Sequence, residues 1–226
     1  MPNCNSTIRR TWPAVTTRRF WSGDYLSPIK VRLRMTSRSV SGFTWQTLRL
    51  HPQSFCPVVT QLKGGVARPR AGVLLFAYIV RGKVGDLAMP PLTGAARTDE
   101  LWRHTCFEAF LRGSSSAEYY EFNFAPSTQW AAYKFSGYRS EMRVATEINA
   151  PRIAIEARRK HYILQASLEL DETLLLASRA GAAWHVGLSA VIKETSGRRS
   201  YWALAHPSGR PDFHHPDCFA LQVPQA

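Results

Sequence analysis

Short segments in which apolar and polar side chains alternate with a period of two are the feature that most constrains the fold. In residues 118–124, Tyr120, Phe122 and Phe124 share one side, and Tyr119, Glu121 and Asn123 share the other. An α-helix cannot place alternate residues on one face, whereas a β-strand does so by construction. Because many such segments follow one another, we predict an all-β fold, an antiparallel β-sandwich of jelly-roll type.

The spacing of the segments fixes the expected size of the sandwich. Roughly nine to eleven strands are separated by turns about every eight to twelve residues. The acids Asp171 and Glu172 precede Leu174–Leu176 and predict the start of a short helix, so one or two short helices are expected. From the strand parities we predict that these side chains are buried: Phe107, Leu111, Tyr120, Phe122, Phe124, Val186, Leu188 and Phe219.

The basic charge is concentrated at the N-terminus. Residues 1–45 hold eight basic side chains and Asp24, a net charge of +7 out of +13 for the chain. This stretch has no apolar period, so we predict a disordered extension over residues 1–44 and a folded domain over 45–226. A translation start at Met35, a transit peptide and a nucleic-acid-binding arm are the alternatives for the extension.

Two absences indicate the cellular location. The N-terminal region lacks the apolar stretch of a secretory signal, and Val73–Val80, the longest apolar run, is too short to span a bilayer. The four cysteines form no CxxC pair, and Cys106 and Cys218 are predicted to be small core residues. We therefore expect a soluble cytoplasmic protein without a membrane span. Its oligomeric state stays open.

Common catalytic motifs are absent, which makes a binding module the first hypothesis and an enzyme the second. The sequence has no GxSxG elbow, phosphate-binding loop or dinucleotide fingerprint. One histidine-rich segment could serve a metal-assisted hydrolase centred on His206 and His214, because imidazole and carboxylate are zinc ligands. The alternative is a loop whose histidines form local hydrogen bonds.

Aromatic side chains next to charged and amide groups indicate a sugar site. The C–H face of a sugar ring stacks on an aromatic ring, while polar side chains bind its hydroxyls. Trp102, Trp130 and Trp202 are the stacking candidates. The polar candidates are Arg103, His104, Glu121, Asn123, His206 and His214.

Several motifs together resemble a bacterial family of DOMON-like domain proteins. They are residues 99–110 (DELWRHTCFEAF), 119–126 (YYEFNFAP), 130–133 (WAAY), 200–204 (SYWAL) and 211–214 (PDFH). The resemblance spans residues 47–223. It implies a sandwich similar to family-9 carbohydrate-binding modules and to DOMON domains that bind heme or sugar, with a ligand pocket and no established reaction. A small polar ligand such as a sugar is the first choice. Heme is the alternative cofactor, with Met89 and either His104 or His206 as axial ligands.

Overall fold

The computed structural model describes residues 42–114, 116–170 and 183–223. Thirteen strands lie in this part of the chain: β1 (Thr44–Thr47), β2 (Arg49–Leu50), β3 (Val59–Arg70), β4 (Val73–Gly82), β5 (Cys106–Gly113), β6 (Tyr119–Phe124), β7 (Trp130–Phe135), β8 (Arg143–Val144), β9 (Arg152–Ala157), β10 (His161–Glu169), β11 (Trp184–Lys193), β12 (Arg199–Ala203) and β13 (Leu221–Val223). Three single-turn 3-10 helices join them: Val84–Asp86, Leu101–Arg103 and Pro216–Cys218.

The strands form two antiparallel sheets, which confirms the predicted β-sandwich. The smaller sheet has the order β1-β3-β4-β10-β9, and the larger has the order β2-β12-β11-β5-β6-β7-β8, with β13 paired to β11. Strands β5, β6 and β11 thus occupy the centre of the larger sheet. Their side chains on its outer face, away from the smaller sheet, are the ones that build the site described below.

The main core lies between the two sheets. The ring of Phe76 on β4 packs against Phe122 and Phe124 on β6, at centroid distances of 6.2 and 5.9 Å. All eight predicted core residues are buried, and seven of them lie between the sheets as their strand parity predicts. Phe219 differs from the other seven in its location, because it packs on the outer face of the larger sheet rather than between the sheets.

A buried hydrogen bond ties the sheets together directly beneath the outer face. Tyr78 on β4 is fully buried, and its hydroxyl donates to the backbone carbonyl of Glu108 on β5 at 2.6 Å. A buried phenol needs such an acceptor, because burial without a partner is costly. The bond holds the backbone of β5 in place from the side of the main core. It therefore also fixes the position of the Glu108 side chain, which lies on the outer face of the sheet.

Two predictions fall on residues that the structure leaves undescribed. The helix expected near Leu174–Leu176 and the extension over residues 1–44, up to residue 41, lie outside the described ranges. Cys106 and Cys218 are buried as predicted. Within the described ranges, no helix is long and apolar enough to cross a membrane.

Candidate functional site

The outer face of the larger sheet is covered by three connecting segments rather than by solvent. They are residues 83–105 between β4 and β5, 136–142 between β7 and β8, and 204–220 between β12 and β13. Apolar side chains under these segments form a second core, which includes Phe110, Tyr119, Tyr133, Phe135 and Phe219. The covering segments therefore add a third layer to the two sheets, and a hollow between this layer and the larger sheet is the candidate site.

Close contact between β11 and the last covering segment depends on a glycine. A side chain at Gly187 would place its Cβ 3.1 Å from the backbone carbonyl oxygen of Cys218 and 3.3 Å from the Cβ of Phe110. Because Gly187 leaves this space empty, the segment that carries His214 can approach the sheet closely.

A cavity of about 410 Å³ opens between the sheet and the covering segments. Its charged lining residues are two acids, Glu108 and Glu121, and two bases, Arg139 and Arg199. Four aromatic side chains and one imidazole complete most of the wall: Trp102, Phe135, Tyr201, Phe213 and His214. A few converging polar groups inside a mostly apolar wall are typical of a small-molecule site.

Glu121 and Asn123 form the polar floor of the cavity. The strand alternation predicted that both side chains point away from the main core. Their exposed fractions are 5% and 0%, and the Asn123 amide donates to Glu121 Oε1 at 2.7 Å. Burial raises the pKa of Glu121 to about 7, although the Asn123 hydrogen bond acts in the opposite direction. Glu121 lines the cavity, whereas Asn123 lies beneath it and holds the carboxyl in place.

Glu108 is the second buried acid of the floor. On the antiparallel ladder it lies opposite Asn123, which makes it a diagonal neighbour of Glu121 on the same face. Only 3% of Glu108 is exposed, and burial together with the charge of Glu121 raises its pKa well above the usual range. Within the described chain, Glu108 Oε1 is buried and has no hydrogen-bond partner.

His214 closes the cavity from the covering segment. Its Nδ1 shares a hydrogen bond with the hydroxyl of Tyr119 at 2.8 Å, and its Nε2 lies 3.6 Å from Glu121 Oε2. The rings of Phe110 and Phe135 make T-shaped contacts with the imidazole ring, at centroid distances of 5.1 and 5.0 Å. Burial lowers the pKa of His214 to about 4, so the ring is neutral at physiological pH.

Asp212 holds two covering segments together. Its Oδ1 accepts hydrogen bonds from Arg139 Nη2 at 2.7 Å and from the backbone N–H of His214 at 3.1 Å. The hydroxyl of Tyr138 donates to the other oxygen. This arrangement fixes His214 and commits the guanidinium of Arg139 to Asp212.

Trp102 reaches the cavity from the single turn before β5. Its ring packs edge-on against Tyr133 at a centroid distance of 5.8 Å, and the Tyr133 hydroxyl donates to Asp99 at 2.6 Å. Arg103 and His104 follow directly in the sequence, but their side chains are exposed and do not line the cavity. Arg103 instead pairs with Glu100 at 2.7 Å.

The other two tryptophans proposed for stacking lie in the main core. Trp130 and Trp202 have exposed fractions of 8% and 6% and pack between the sheets. Strand parity accounts for the position of the two tryptophans, because successive residues of a strand point to opposite faces of the sheet. Tyr201 therefore lines the cavity in place of Trp202.

His206 and His214, the proposed centre of a metal site, have different hydrogen-bond partners in the described structure. His206 Nε2 is bound to the carbonyl oxygen of Arg49 at 2.8 Å, and its ring packs on His51, so it does not line the cavity with His214. Met89 packs against the main core. In the described ranges, no three His, Cys, Asp or Glu side chains are grouped to hold a metal ion.

Several lining residues were not among the candidates from the sequence. Glu108 carried a usable signal, because it is the one charged residue in the otherwise apolar run Cys106–Leu111 of β5. Phe213 stood in the motif at residues 211–214, but no period indicated its direction, and Arg139 carried no signal, since both lie in irregular segments. Their positions depend on the path of the covering segments.

No protein-family model matches the chain, and no curated protein matches it in sequence. Among solved structures, a candidate carbohydrate-binding protein from Bacteroides uniformis ATCC 8492 superposes with a TM-score of 0.54 at 12% identity. The match covers 78% of this chain and 84% of that protein. The two chains share a fold. A family 9 carbohydrate-binding module from Caldicellulosiruptor kristjanssonii, in complex with cellotriose, gives a TM-score of 0.44 at 12% identity over 74% and 75% of the chains.

Proposed function

We propose that this chain binds a small carbohydrate in the cavity on the outer face of the larger sheet. The observation that carries the proposal is the combination of aromatic rings with buried hydrogen-bonding groups in one hollow. Trp102 and Tyr201 offer ring surfaces for the C–H face of a sugar. Glu121 and His214 offer polar atoms for its hydroxyls.

The size of the cavity and the shared fold support this ligand class. A volume of about 410 Å³ falls in the range of small-ligand pockets, roughly 300–1,000 Å³. The Bacteroides protein with the same fold is itself a candidate carbohydrate-binding protein.

The family and the domain limits belong to the same proposal. We assign the chain to the DOMON-like proteins on the motifs quoted above, with residues 45–226 as a ligand-binding domain without an established reaction. Cys56, Cys106 and Cys218 are free and buried, which suits the reducing cytoplasm that we propose as its location.

A panel of monosaccharides and short oligosaccharides, measured by isothermal titration calorimetry, tests the proposal. We expect at least one binder, and we expect Trp102→Ala to weaken it at least about tenfold, because the variant removes the stacking surface. Thermal unfolding of the variant checks that the fold survives.

Trp45→Ala is the matched control. The Trp45 ring lies over Gly65 on the smaller sheet and does not line the cavity. Its loss is expected to leave the sugar affinity unchanged. A panel without any binder, or equal losses from the two tryptophan variants, would contradict a sugar site in this cavity.

A further inference from the structure

The cavity floor holds two buried acids, and the surrounding protein offers them little positive charge. Glu108 and Glu121 lie on adjacent strands and point to the same face, with exposed fractions of 3% and 5%. Asn123 satisfies one oxygen of Glu121. Oε1 of Glu108 has no partner within the described chain. A carboxyl group buried in this way is costly unless something pairs with it.

The bases that line the cavity are engaged elsewhere or lie in solvent. Arg139 is bound to Asp212 through its Nη2 at 2.7 Å and its Nε at 3.2 Å. His214 is neutral at physiological pH because burial lowers its pKa to about 4. Arg199 is exposed, so water screens its charge. The charge of Arg139 lowers the pKa of both acids, but burial outweighs it, so within the described chain neither acid of the floor has a cation bound directly to it.

A ligand can supply the missing cation. An ammonium group has three donors and no acceptor, so it can bind two carboxyl groups at once. The rings of Trp102, Tyr201 and Phe213, which line the same cavity, also favour a cation over a neutral group. No hydroxyl brings a charge in this way.

We propose that the ligand carries a protonated primary amine, which Glu108 and Glu121 bind at the cavity floor. The inference rests on the proposed function and narrows it: the sugar is an amino sugar rather than a neutral one. The aromatic wall takes the ring, and the acid pair takes the amine.

Six sugars, titrated separately at pH 7 by calorimetry, test this inference. They are glucosamine, glucose and N-acetylglucosamine, together with galactosamine, galactose and N-acetylgalactosamine. Within each set the ligands differ at a single ring position, and acetylation removes the charge while keeping the nitrogen. We expect the amino sugar of at least one set to bind at least about tenfold more tightly than both of its neutral partners.

Glu108→Gln keeps the shape of the side chain and removes its ability to ionise. We expect it to reduce the ratio of amino-sugar to neutral-sugar affinity at least about tenfold. Glu118→Gln is the matched control, because Glu118 pairs with Lys134 outside the cavity, and the ratio should not change.

The outcomes separate the two proposals. Neutral sugars that bind as tightly as the amino sugars would overturn the inference and leave carbohydrate binding intact. No binding by any sugar here or in the wider panel would overturn both. The comparison on the wild-type protein decides these cases even if a variant fails to fold.

Discussion

Replacement of Phe122 by Ala is expected to lower the free energy of unfolding by about 3–5 kcal/mol, the usual cost of removing a fully buried phenylalanine ring. Only 1% of Phe122 is exposed, and its ring packs against Phe76 of the facing sheet and Tyr120 of its own strand. The variant leaves a cavity between the two sheets that neither sheet can fill by a small shift. Chemical denaturation of both proteins measures the difference.

Phe55→Ala is the matched control for this substitution. The Phe55 side chain is 65% exposed, and its one described ring contact is with the guanidinium of Arg198 at 4.9 Å. We expect a loss below about 1 kcal/mol, as for an exposed cation–π pair. A comparable loss from the two variants would mean that Phe122 does not bridge the sheets.

Replacement of Glu121 by Gln is expected to make the protein relatively more stable at pH 8 than at pH 5. The pKa of Glu121 is about 7 in the folded protein, against an ordinary value of 4.5. Between these two values the unfolded chain releases the proton and the folded protein keeps it, so the stability of the wild type falls as pH rises. Glutamine does not titrate. The free energy of unfolding of the variant minus that of the wild type should therefore increase by about 2–3 kcal/mol from pH 5 to pH 8.

Glu147→Gln should show the opposite pH dependence. The Arg143 guanidinium lowers the pKa of Glu147 to about 2, so this carboxylate stabilises the fold at neutral pH and loses that effect in acid. The change should be smaller, because half of the Arg143 side chain is exposed and solvent screens the pair. Denaturation curves at several pH values distinguish the two signs. A gap for Glu121→Gln that stays constant with pH would show that the carboxyl is not buried as described.

The loss of stability caused by burying Glu108 and Glu121 indicates that the two acids have a role in ligand binding. A fold gains nothing from two buried carboxyl groups at one end of a cavity, and two amides of similar shape would fit with less penalty. Such departures from the rules of stable packing are expected where a site binds a ligand. The pH experiment therefore measures how much the buried carboxyl group of Glu121 lowers the free energy of unfolding.

The sequence alone determined the sandwich and the faces of its strands. Alternation is a local property of the chain, and it placed Phe122 and Phe124 in the core and Glu121 and Asn123 on the opposite side. The sequence could not show whether that opposite side meets solvent or a covering layer. For the same reason it could not choose between Tyr201 and Trp202, which are adjacent aromatic residues on opposite faces of β12.

The tertiary structure decided the membership of the site. His214, Arg139 and Phe213 lie in irregular segments, where neither a period nor a spacing fixes the direction of a side chain. They reach the cavity because Asp212 joins two of these segments and because Gly187 lets one of them approach the sheet. The pairing of β5 with β6 likewise brought Glu108 beside Glu121 from 13 residues away along the chain. The alternation of apolar and polar residues can be recognised from neighbouring residues of the sequence. The contacts of the site depend instead on strand register and on the paths of the connecting segments.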